Sequence, residues 1–429
     1  MLFAAFKVFA ALTLTYCDTM CCNGEQLSIM QAQLLTPEGG TVIECFMSVP
    51  EPMELDPLVS ANIQFALDLF KHLDETDKVG NIFMSPFSIS SALAMVHLGA
   101  KENTATQMAK ALGFDEVKDV HSEFQKLQVE LINPKANYAL KTANRLYGEK
   151  TYNFLTEFLE AAEKYYKAGL SAVDFVNAAE EVRKEINTWI EEQTAGKIKN
   201  MFPPKSLVPS TKLVLVNAIY FKGTWKDQFK KENTYSGKFK LNKNQVKDVE
   251  MMHQTTYFNY SYNCKSGVKI IELPYLQDEL SMVILLPDDV NGLENLQRSF
   301  TLDCLRNWTN PKIMYITKVK VTLPKFRLEE NYDLTSILSQ MGMEDAFGIG
   351  KANLSGMSNS NDLSLSKVVH QSFVEVNEEG TEAAAATAVG LVGCSMGTIE
   401  EFMADHPFLF FIRHKKTQSI LFYGRLNDP

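Results

Sequence analysis

The chain has 429 residues, of which 45% are hydrophobic and 22% are charged, and its formal net charge is −10. These values are typical of a globular protein and exclude a disordered, fibrous or largely membrane-embedded chain. Lysine and arginine are spread along the sequence rather than gathered in a basic stripe, so nucleic-acid binding is not expected.

The first 52 residues differ in character from the rest. Met1 to Tyr16 is apolar apart from Lys7 and some polar side chains, which permits a signal peptide. However, no basic residue precedes the apolar run, no small-x-small cleavage site follows it, and it is shorter than the ~20 apolar residues of a membrane span. A second start is available at Met53. Residues 1–52 are therefore interpreted as an N-terminal extension, either a signal-like leader or a non-native start, and residues 53–429 as one domain.

Helical periodicity dominates the first part of the main body. From Ser60, a predicted N-cap, the apolar positions between Ile63 and Phe70 follow the period of an α-helix. Further helices are predicted over residues 88–98, 103–112, 119–131 and 180–192.

Strand patterns dominate later in the chain. The strongest is the almost unbroken β-prone run Leu213–Phe221, which is typical of a strand covered on both faces. A short extended run over residues 81–86 is stopped by its proline, and other strands are predicted over residues 139–147, 268–273, 281–286, 318–323, 408–412 and 418–423. Helices followed by strands with hairpin-like turns predict an α+β fold with mainly antiparallel sheets.

The cysteines and histidines do not indicate a metal or redox site. Four of the seven cysteines lie in the first 45 residues, and Cys264, Cys304 and Cys394 are widely spaced. Such spacing is not a disulfide framework and favours a reducing compartment. Neither a CxxC pair nor an HExxH motif occurs, so no metal and no cofactor are predicted.

The segment Val374–Gly390 has the most unusual pattern. By intrinsic propensity, Thr381 would cap an ordinary exposed helix made of Glu382 and four alanines. The run is shorter than the ~12–15 residues that a lone helix needs. It also continues, without a helix stop, into the partly apolar stretch 390–397.

The decamer Glu-Glu-Gly-Thr-Glu-Ala-Ala-Ala-Ala-Thr at 378–387 resembles the hinge of an inhibitory serpin. Stretches 81–90, 212–223 and 405–412 resemble the same family, and the resemblance extends over residues 53–429. Within the family it favours the ovalbumin-like intracellular branch. It implies a single serpin domain with about nine helices, three mainly antiparallel β-sheets and an exposed reactive-centre loop near residues 378–402.

The resemblance implies a suicide-substrate mechanism, since serpin loop insertion is an established example of strand addition. A serine protease would cleave the loop, and the freed hinge would insert into a sheet while the protease is still covalently attached. The hinge would comprise Glu379, Gly380, Thr381, Glu382, Ala383, Ala384, Ala385, Ala386 and Thr387. Alternate residues of an inserted strand face opposite sides of the sheet, so Thr381, Ala383, Ala385 and Thr387 could enter a core while Glu382 stays toward solvent.

The same resemblance predicts the cleaved bond. In the family the hinge glycine is the fifteenth residue upstream of the cut, and counting from Gly380 places the cut between Cys394 and Ser395. A small, moderately apolar residue suits an elastase-like pocket. Leu391 and Met396 are alternative cut sites for a chymotrypsin-like or cysteine protease. Cys394 as a catalytic nucleophile or metal ligand would need a partner, and no His or Cys lies near it in the sequence.

Five further residues match family positions where the main sheet opens. Ser85, Ser88, Asn217 and His370 match the region called the shutter, and Trp225 matches the aromatic side chain of the breach, where the loop begins to insert. From the residues alone, His370 reads as a hydrogen-bonded core histidine and Trp225 as core packing. Both interpretations are compatible with the family roles.

Three functions from different classes are therefore considered. The leading one is an irreversible, monomeric inhibitor of elastase-like serine proteases, and the second is a non-inhibitory interaction or storage protein on the same fold. The third is a hydrolase, for which no Gly-x-Ser-x-Gly motif is present. The resemblance favours the cytosol, with release when cells die. The sequons at Asn259, Asn307 and Asn353 would be used only after translocation.

Overall fold

The computed structural model describes residues 51–132, 138–381 and 399–429, together with two short strands in the N-terminal extension. Those strands, β1 (Ser28–Ile29) and β2 (Met47–Ser48), pair with each other in antiparallel fashion. Three parts of the sequence predictions lie outside the described residues: most of the extension, the hinge from Glu382 onward, and the bond between Cys394 and Ser395.

The described residues contain ten α-helices, against about nine expected from the family. Their bounds are α1 Pro57–Thr76, α2 Pro86–Gly99, α3 Glu102–Leu112, α4 Val120–Leu131, α5 Thr156–Tyr166, α6 Phe175–Gln193, α7 Leu293–Ser299, α8 Leu302–Trp308, α9 Thr335–Gln340 and α10 Glu344–Phe347.

The prediction that Ser60 caps the first helix is wrong. The N-cap of helix α1 lies four residues earlier, at Asp56, whose carboxylate accepts a hydrogen bond from the backbone N–H of Leu58 at 2.9 Å. Pro57 occupies the first helical position, where its fixed φ is favourable and its missing N–H costs nothing. Ser60 is already inside the helix, since its N–H donates to the Asp56 carbonyl.

The remaining strands form two large sheets. Their bounds are β3 Ile82–Met84, β4 Tyr138–Glu149, β5 Leu170–Val173, β6 Leu213–Thr224, β7 Tyr235–Asn242, β8 Gln245–Asn263, β9 Val268–Pro274, β10 Leu280–Pro287, β11 Tyr315–Pro324, β12 Phe326–Asp333, β13 Lys367–Asn377, β14 Gly380–Thr381, β15 Glu400–Met403, β16 Phe408–His414 and β17 Ile420–Leu426.

A nine-stranded sheet has the order β15-β11-β8-β9-β10-β16-β17-β3, with β7 attached to β8, and a six-stranded sheet has the order β12-β13-β14-β6-β4-β5. Most strand pairs are antiparallel; the described parallel pairs are β4 with β5, β6 with β13, and β11 with β15. The predicted α+β class is confirmed.

Strand β6 lies at the centre of the six-stranded sheet and is buried on both faces, as its continuous apolar run predicts. Leu213, Leu215, Ile219 and Phe221 belong to the large core between the sheets and the first helices. Val214, Val216, Ala218 and Tyr220 point to the opposite face, where they pack in a second cluster with apolar residues of α6. Any strand entering beside β6 would therefore meet packed side chains on both faces.

Within the described ranges, none of the helices combines the length and apolar character needed to cross a membrane. The same residues contain no group of three or more His, Cys, Asp or Glu side chains arranged to hold a metal ion.

Candidate functional site

The border between β6 and β13, referred to below as the seam, changes its pairing along its length. In its lower part the two strands pair directly and in parallel, from Val214 opposite Lys367 to Tyr220 opposite Phe373. Above that point they separate, and β14 lies between them, antiparallel to both. The top of the seam is thus a gap that two residues of the predicted hinge, Gly380 and Thr381, already fill.

A tight turn brings the chain from β13 back into this gap. The Asn377 side-chain oxygen accepts a hydrogen bond from the backbone N–H of Glu379 at 3.0 Å. The carbonyls of Glu378 and Glu379 accept from the N–H groups of Phe229 at 2.9 Å and Trp225 at 3.0 Å. The turn is therefore joined by its backbone to the segment that follows β6.

Gly380 occupies a place that admits no side chain. Its φ is +137°, and a Cβ at this position would lie 2.2 Å from the carbonyl oxygen of Gly223 and 2.7 Å from the Cα of Thr224. Backbone conformations of this kind are essentially limited to glycine. Glycine is required here both for the conformation and for the close approach to β6.

Thr381 is fully buried at the core face of the gap, and its hydroxyl lies 3.0 Å from that of Tyr275. The Tyr275 ring stacks on Trp225, with centroids 4.6 Å apart and planes 13° apart. The Trp225 indole N–H donates to the Asn377 carbonyl at 3.0 Å. Burial raises the pKa of Tyr275, so this hydroxyl stays neutral. Trp225 therefore packs in the core and also holds the turn that leads into β14.

Charged groups surround the entrance to the gap. The Glu378 carboxylate accepts from the Thr234 hydroxyl at 2.8 Å and pairs with Lys325 at 3.4 Å. Glu379 pairs with Lys231 at 2.6 Å. Burial by itself would raise the pKa of Glu378, but its own backbone N–H, Thr234 and Lys325 outweigh burial and lower it. The carboxylate is thus held ionised.

The four predicted shutter residues come together below the gap. Strand register places His370 of β13 directly opposite Asn217 of β6. His370 is fully buried; its Nδ1 donates to the Asn217 side-chain oxygen at 2.5 Å, and its Nε2 accepts from the backbone N–H of Ser85 at 3.1 Å. The Asn217 amide donates to the Ser88 hydroxyl at 2.6 Å. One hydrogen-bonded network therefore joins both sides of the seam to the start of α2.

This network assigns the protonation state of His370. A hydrogen bond from a backbone N–H can be accepted only by an unprotonated ring nitrogen, so Nε2 carries no proton. The imidazole is therefore neutral, with its proton on Nδ1. Burial lowers the pKa of His370 to about 3, although the hydrogen bond with Asn217 acts in the opposite direction. Protonation would remove the acceptor for Ser85 and place a charge in the core.

Several contributors to the site were not predicted from sequence. Lys325 and Thr234 pair with Glu378 at the charged entrance, Tyr275 contacts Thr381, and Asn144 accepts a further hydrogen bond from Asn217. Each is distant in sequence from its partner and has no local pattern. Asn217 was predicted from the family resemblance, but the strand pattern of β6 could have indicated it without that resemblance, since a polar residue inside an apolar run needs a buried hydrogen-bond partner.

The first prediction concerns the fit of Gly380. Gly380→Ala should expel β14 from the gap, because a Cβ would meet the backbone of β6 and the required φ costs ~1–3 kcal/mol outside glycine. Hydrogen exchange of the amides at residues 221–225 and of Phe229 should accelerate. Gly169→Ala is the matched control, because nothing lies within 4 Å of its added Cβ. Unchanged protection in Gly380→Ala would contradict the proposed fit.

The second prediction concerns pH. In the unfolded chain His370 binds a proton below about pH 6.5, whereas in the folded protein its pKa of about 3 keeps the imidazole neutral until the pH is far lower. The free energy of unfolding should therefore fall as pH drops below 6.5, with His370 contributing a loss of ~2 kcal/mol at pH 5. Urea midpoints of wild type and His370→Gln at pH 7.5 and 5 would measure this contribution. The variant should be less stable at pH 7.5 but lose less on acidification. Parallel losses would contradict the assignment.

Comparison with known proteins agrees with this geometry. A sequence profile of the family described as "Serpin (serine protease inhibitor)" matches residues 60–429. A leukocyte elastase inhibitor from Equus caballus is 53% identical over 379 residues, which cover 87% of this chain and all of the relative.

Two solved structures of ovalbumin share the fold. Uncleaved ovalbumin matches with a TM-score of 0.81 and 39% identity, covering 87% of this chain and all of that one. A loop-inserted structure of a cleaved ovalbumin mutant matches with a TM-score of 0.79 and 38% identity over the same shares. The residues predicted for the hinge and the shutter that the structure describes lie along the seam, and on the matches above the chain belongs to the serpin family.

Proposed function

We propose that the protein inhibits a serine protease by acting as a suicide substrate. The observation that carries this proposal is the position of Gly380 and Thr381, which are already hydrogen-bonded between β6 and β13 as the first residues of an additional strand. The names of the relatives support the class of target, since they are called leukocyte elastase inhibitors.

The register of β14 indicates where further hinge residues would lie after cleavage. Gly380 pairs with Thr224 and Thr381 with Gly223, so each further residue moves one step back along β6. Continuing this register places Ala384 opposite Tyr220. The pairing of Thr381 with Val376 on the other side places Ala384 opposite Phe373 as well. The two registers agree, so one continuous strand could enter without a bulge.

The same register assigns the faces of the inserted strand. Thr381 lies on the core face, and period-two alternation would place Ala383, Ala385 and Thr387 there too. Glu382 would lie on the α6 face, between the partly exposed Lys222 and Glu375. Small side chains would thus meet the packed core, and the one charge would lie near solvent, with Lys222 on one side and Glu375 on the other.

The chemistry needs only the target protease's own machinery. The protease serine would attack the carbonyl carbon of Cys394, forming an ester while the amine of Ser395 leaves with a proton. Water would normally hydrolyse that ester. Insertion of the freed hinge would displace the attached protease before hydrolysis, and each added strand hydrogen bond would contribute ~0.5–1.5 kcal/mol.

We assign Cys394 as the residue that an elastase-like pocket would bind, because its side chain is small and moderately apolar. Cleavage at Leu391 or Met396 instead would indicate a chymotrypsin-like or cysteine protease. We also propose that the protein acts as a cytosolic monomer that is released on cell death, as its branch of the family implies. Glycan at Asn259, Asn307 or Asn353 of the native protein would contradict the cytosolic location.

The third prediction tests the trap. Incubation with an elastase-like serine protease should give a covalent complex that survives boiling in detergent. Thr381→Arg should be cleaved without forming the complex, because an arginine here would bury an unpaired charge against Tyr275, at a cost of several kcal/mol.

Thr381→Ser is the matched control for this experiment and should still trap, since it keeps a small side chain with a hydroxyl. Trapping by Thr381→Arg would contradict the insertion step. Clean cleavage of the wild type without any complex would instead favour a non-inhibitory serpin, and hydrolysis of a small ester by the protein alone would favour an enzyme.

The fourth prediction concerns the thiol of Cys394. Mild oxidation should slow complex formation, because a sulfenic or sulfinic group would no longer suit a small apolar pocket. Cys264 and Cys304 are partly exposed cysteines and would be oxidised as well. Oxidation should therefore be compared in wild type and Cys394→Ala, and only the wild type should lose inhibition rate. An equal loss in both proteins would assign the effect to other thiols.

A further inference from the structure

A group of side chains on the α6 face of the seam has no role in the mechanism above. Tyr220 and Phe373 are the last register pair before the gap opens, and both point toward α6. Their ring centroids are 5.9 Å apart, with planes tilted by 54°. The two rings therefore meet across the seam at the point where an entering strand would first have to separate β6 from β13.

A lysine from another element lies over both rings. The Lys197 ammonium is 5.9 Å from the centroid of Tyr220 and 5.7 Å from that of Phe373. Both distances lie within the ~6 Å at which a cation is attracted to an aromatic face. Arg327 of β12 adds a second cation, 4.9 Å from Phe373. Lys197 differs from Arg327 because it contacts one ring from each side of the seam.

The chain that follows α6 determines the position of Lys197. Ala195 and Gly196 have positive φ values of +52° and +75°, which end the helix and turn the chain back toward the sheet. Ile198, directly after the lysine, is fully buried in the second cluster. Its backbone N–H donates to the Thr194 hydroxyl at 3.2 Å. The backbone on both sides of Lys197 is therefore anchored.

Insertion of a strand would break this arrangement. Neighbouring strands lie ~4.8 Å apart, so a strand inserted between β6 and β13 would double the distance between these two strands to ~9.6 Å. Tyr220 and Phe373 would move apart with them. The rings would lose contact, and one ammonium could no longer lie near both.

We propose that Lys197, Tyr220 and Phe373 form an aromatic latch that holds the lower seam closed and limits how fast a strand can enter it. The identity of that strand as the hinge rests on the proposed function, but the latch itself does not.

The test measures strand entry without any protease. Full-length protein is incubated with a synthetic peptide of the sequence of residues 381–394, and annealing is followed as a mobility shift on native gels. Lys197→Met, which keeps the length of the side chain but removes its charge, should anneal roughly fivefold faster than wild type. Lys197→Arg should anneal within about twofold of wild type, because the charge is kept.

The matched control is Lys199→Met, on the same segment. Lys199 pairs with Glu191 at 2.8 Å, so its loss should leave the annealing rate unchanged. Equal acceleration by Lys199→Met and Lys197→Met would overturn the latch, as would a wild-type rate in Lys197→Met.

A second measurement covers the case in which the peptide does not anneal. Hydrogen exchange at residues 214–220 and 367–373 should be faster in Lys197→Met than in wild type, and unchanged exchange there would overturn the proposal. In a Phe373→Leu background, Lys197→Met should accelerate annealing and exchange less than it does in wild type, since one of the two rings under the lysine is gone. Full additivity of the two substitutions would also count against the latch. Failure to trap a protease would affect only the proposed function.

Discussion

The rest of the structure depends on the backbone pairing along the seam between β6 and β13. A buried N–H or carbonyl must find a partner, and the two strands provide partners for each other in the lower part of the seam. In the upper part they are too far apart for direct pairing, and Gly380 and Thr381 supply the missing groups. Backbone groups along the seam are therefore paired in this structure. In the upper part of the seam, the spacing of β6 and β13 already has room for an additional strand between them.

Side chains hold this border closed from both faces. On the core face, the His370–Asn217 hydrogen bond crosses it and continues to Ser85 and Ser88. On the α6 face, Tyr220 and Phe373 meet beneath Lys197. These contacts alternate along the same two strands because successive side chains of a strand point to opposite faces. Separation of the strands would therefore disrupt a polar network and an aromatic cluster together.

A buried ion pair lies at the entrance to the gap, at the top of the seam. Glu378 is almost completely buried, yet it is held ionised by Thr234 and Lys325. A buried carboxylate is costly unless it is paired, so the contacts of Glu378 with Thr234 and Lys325 stabilise the turn that leads into β14. The chain matches the serpin family and relatives that are named leukocyte elastase inhibitors. These matches confirm the expectation that the chain belongs to a family of protease inhibitors and not to a family of enzymes.

Local sequence patterns determined much of the fold. The continuous apolar run of β6 predicted a central strand, and the helix predicted over residues 88–98 lies within α2, which begins two residues earlier, at Pro86. The cap of α1 was missed because Ser60 and Asp56 are both acceptable capping residues, and Pro57 decided between them. The decamer around Gly380 indicated the family, which the comparisons confirm, and it predicted the hinge.

Only the tertiary structure decided which distant residues meet at the seam. Three contacts there join residues that are far apart in the sequence: Lys325 with Glu378, Tyr275 with Thr381, and Lys197 with the rings of Tyr220 and Phe373. None of these pairs has a periodic signature, because each contact depends on how two elements pack rather than on the pattern within either one. Period and propensity act over a few residues, whereas burial, register and charge pairing are properties of the assembled sheet.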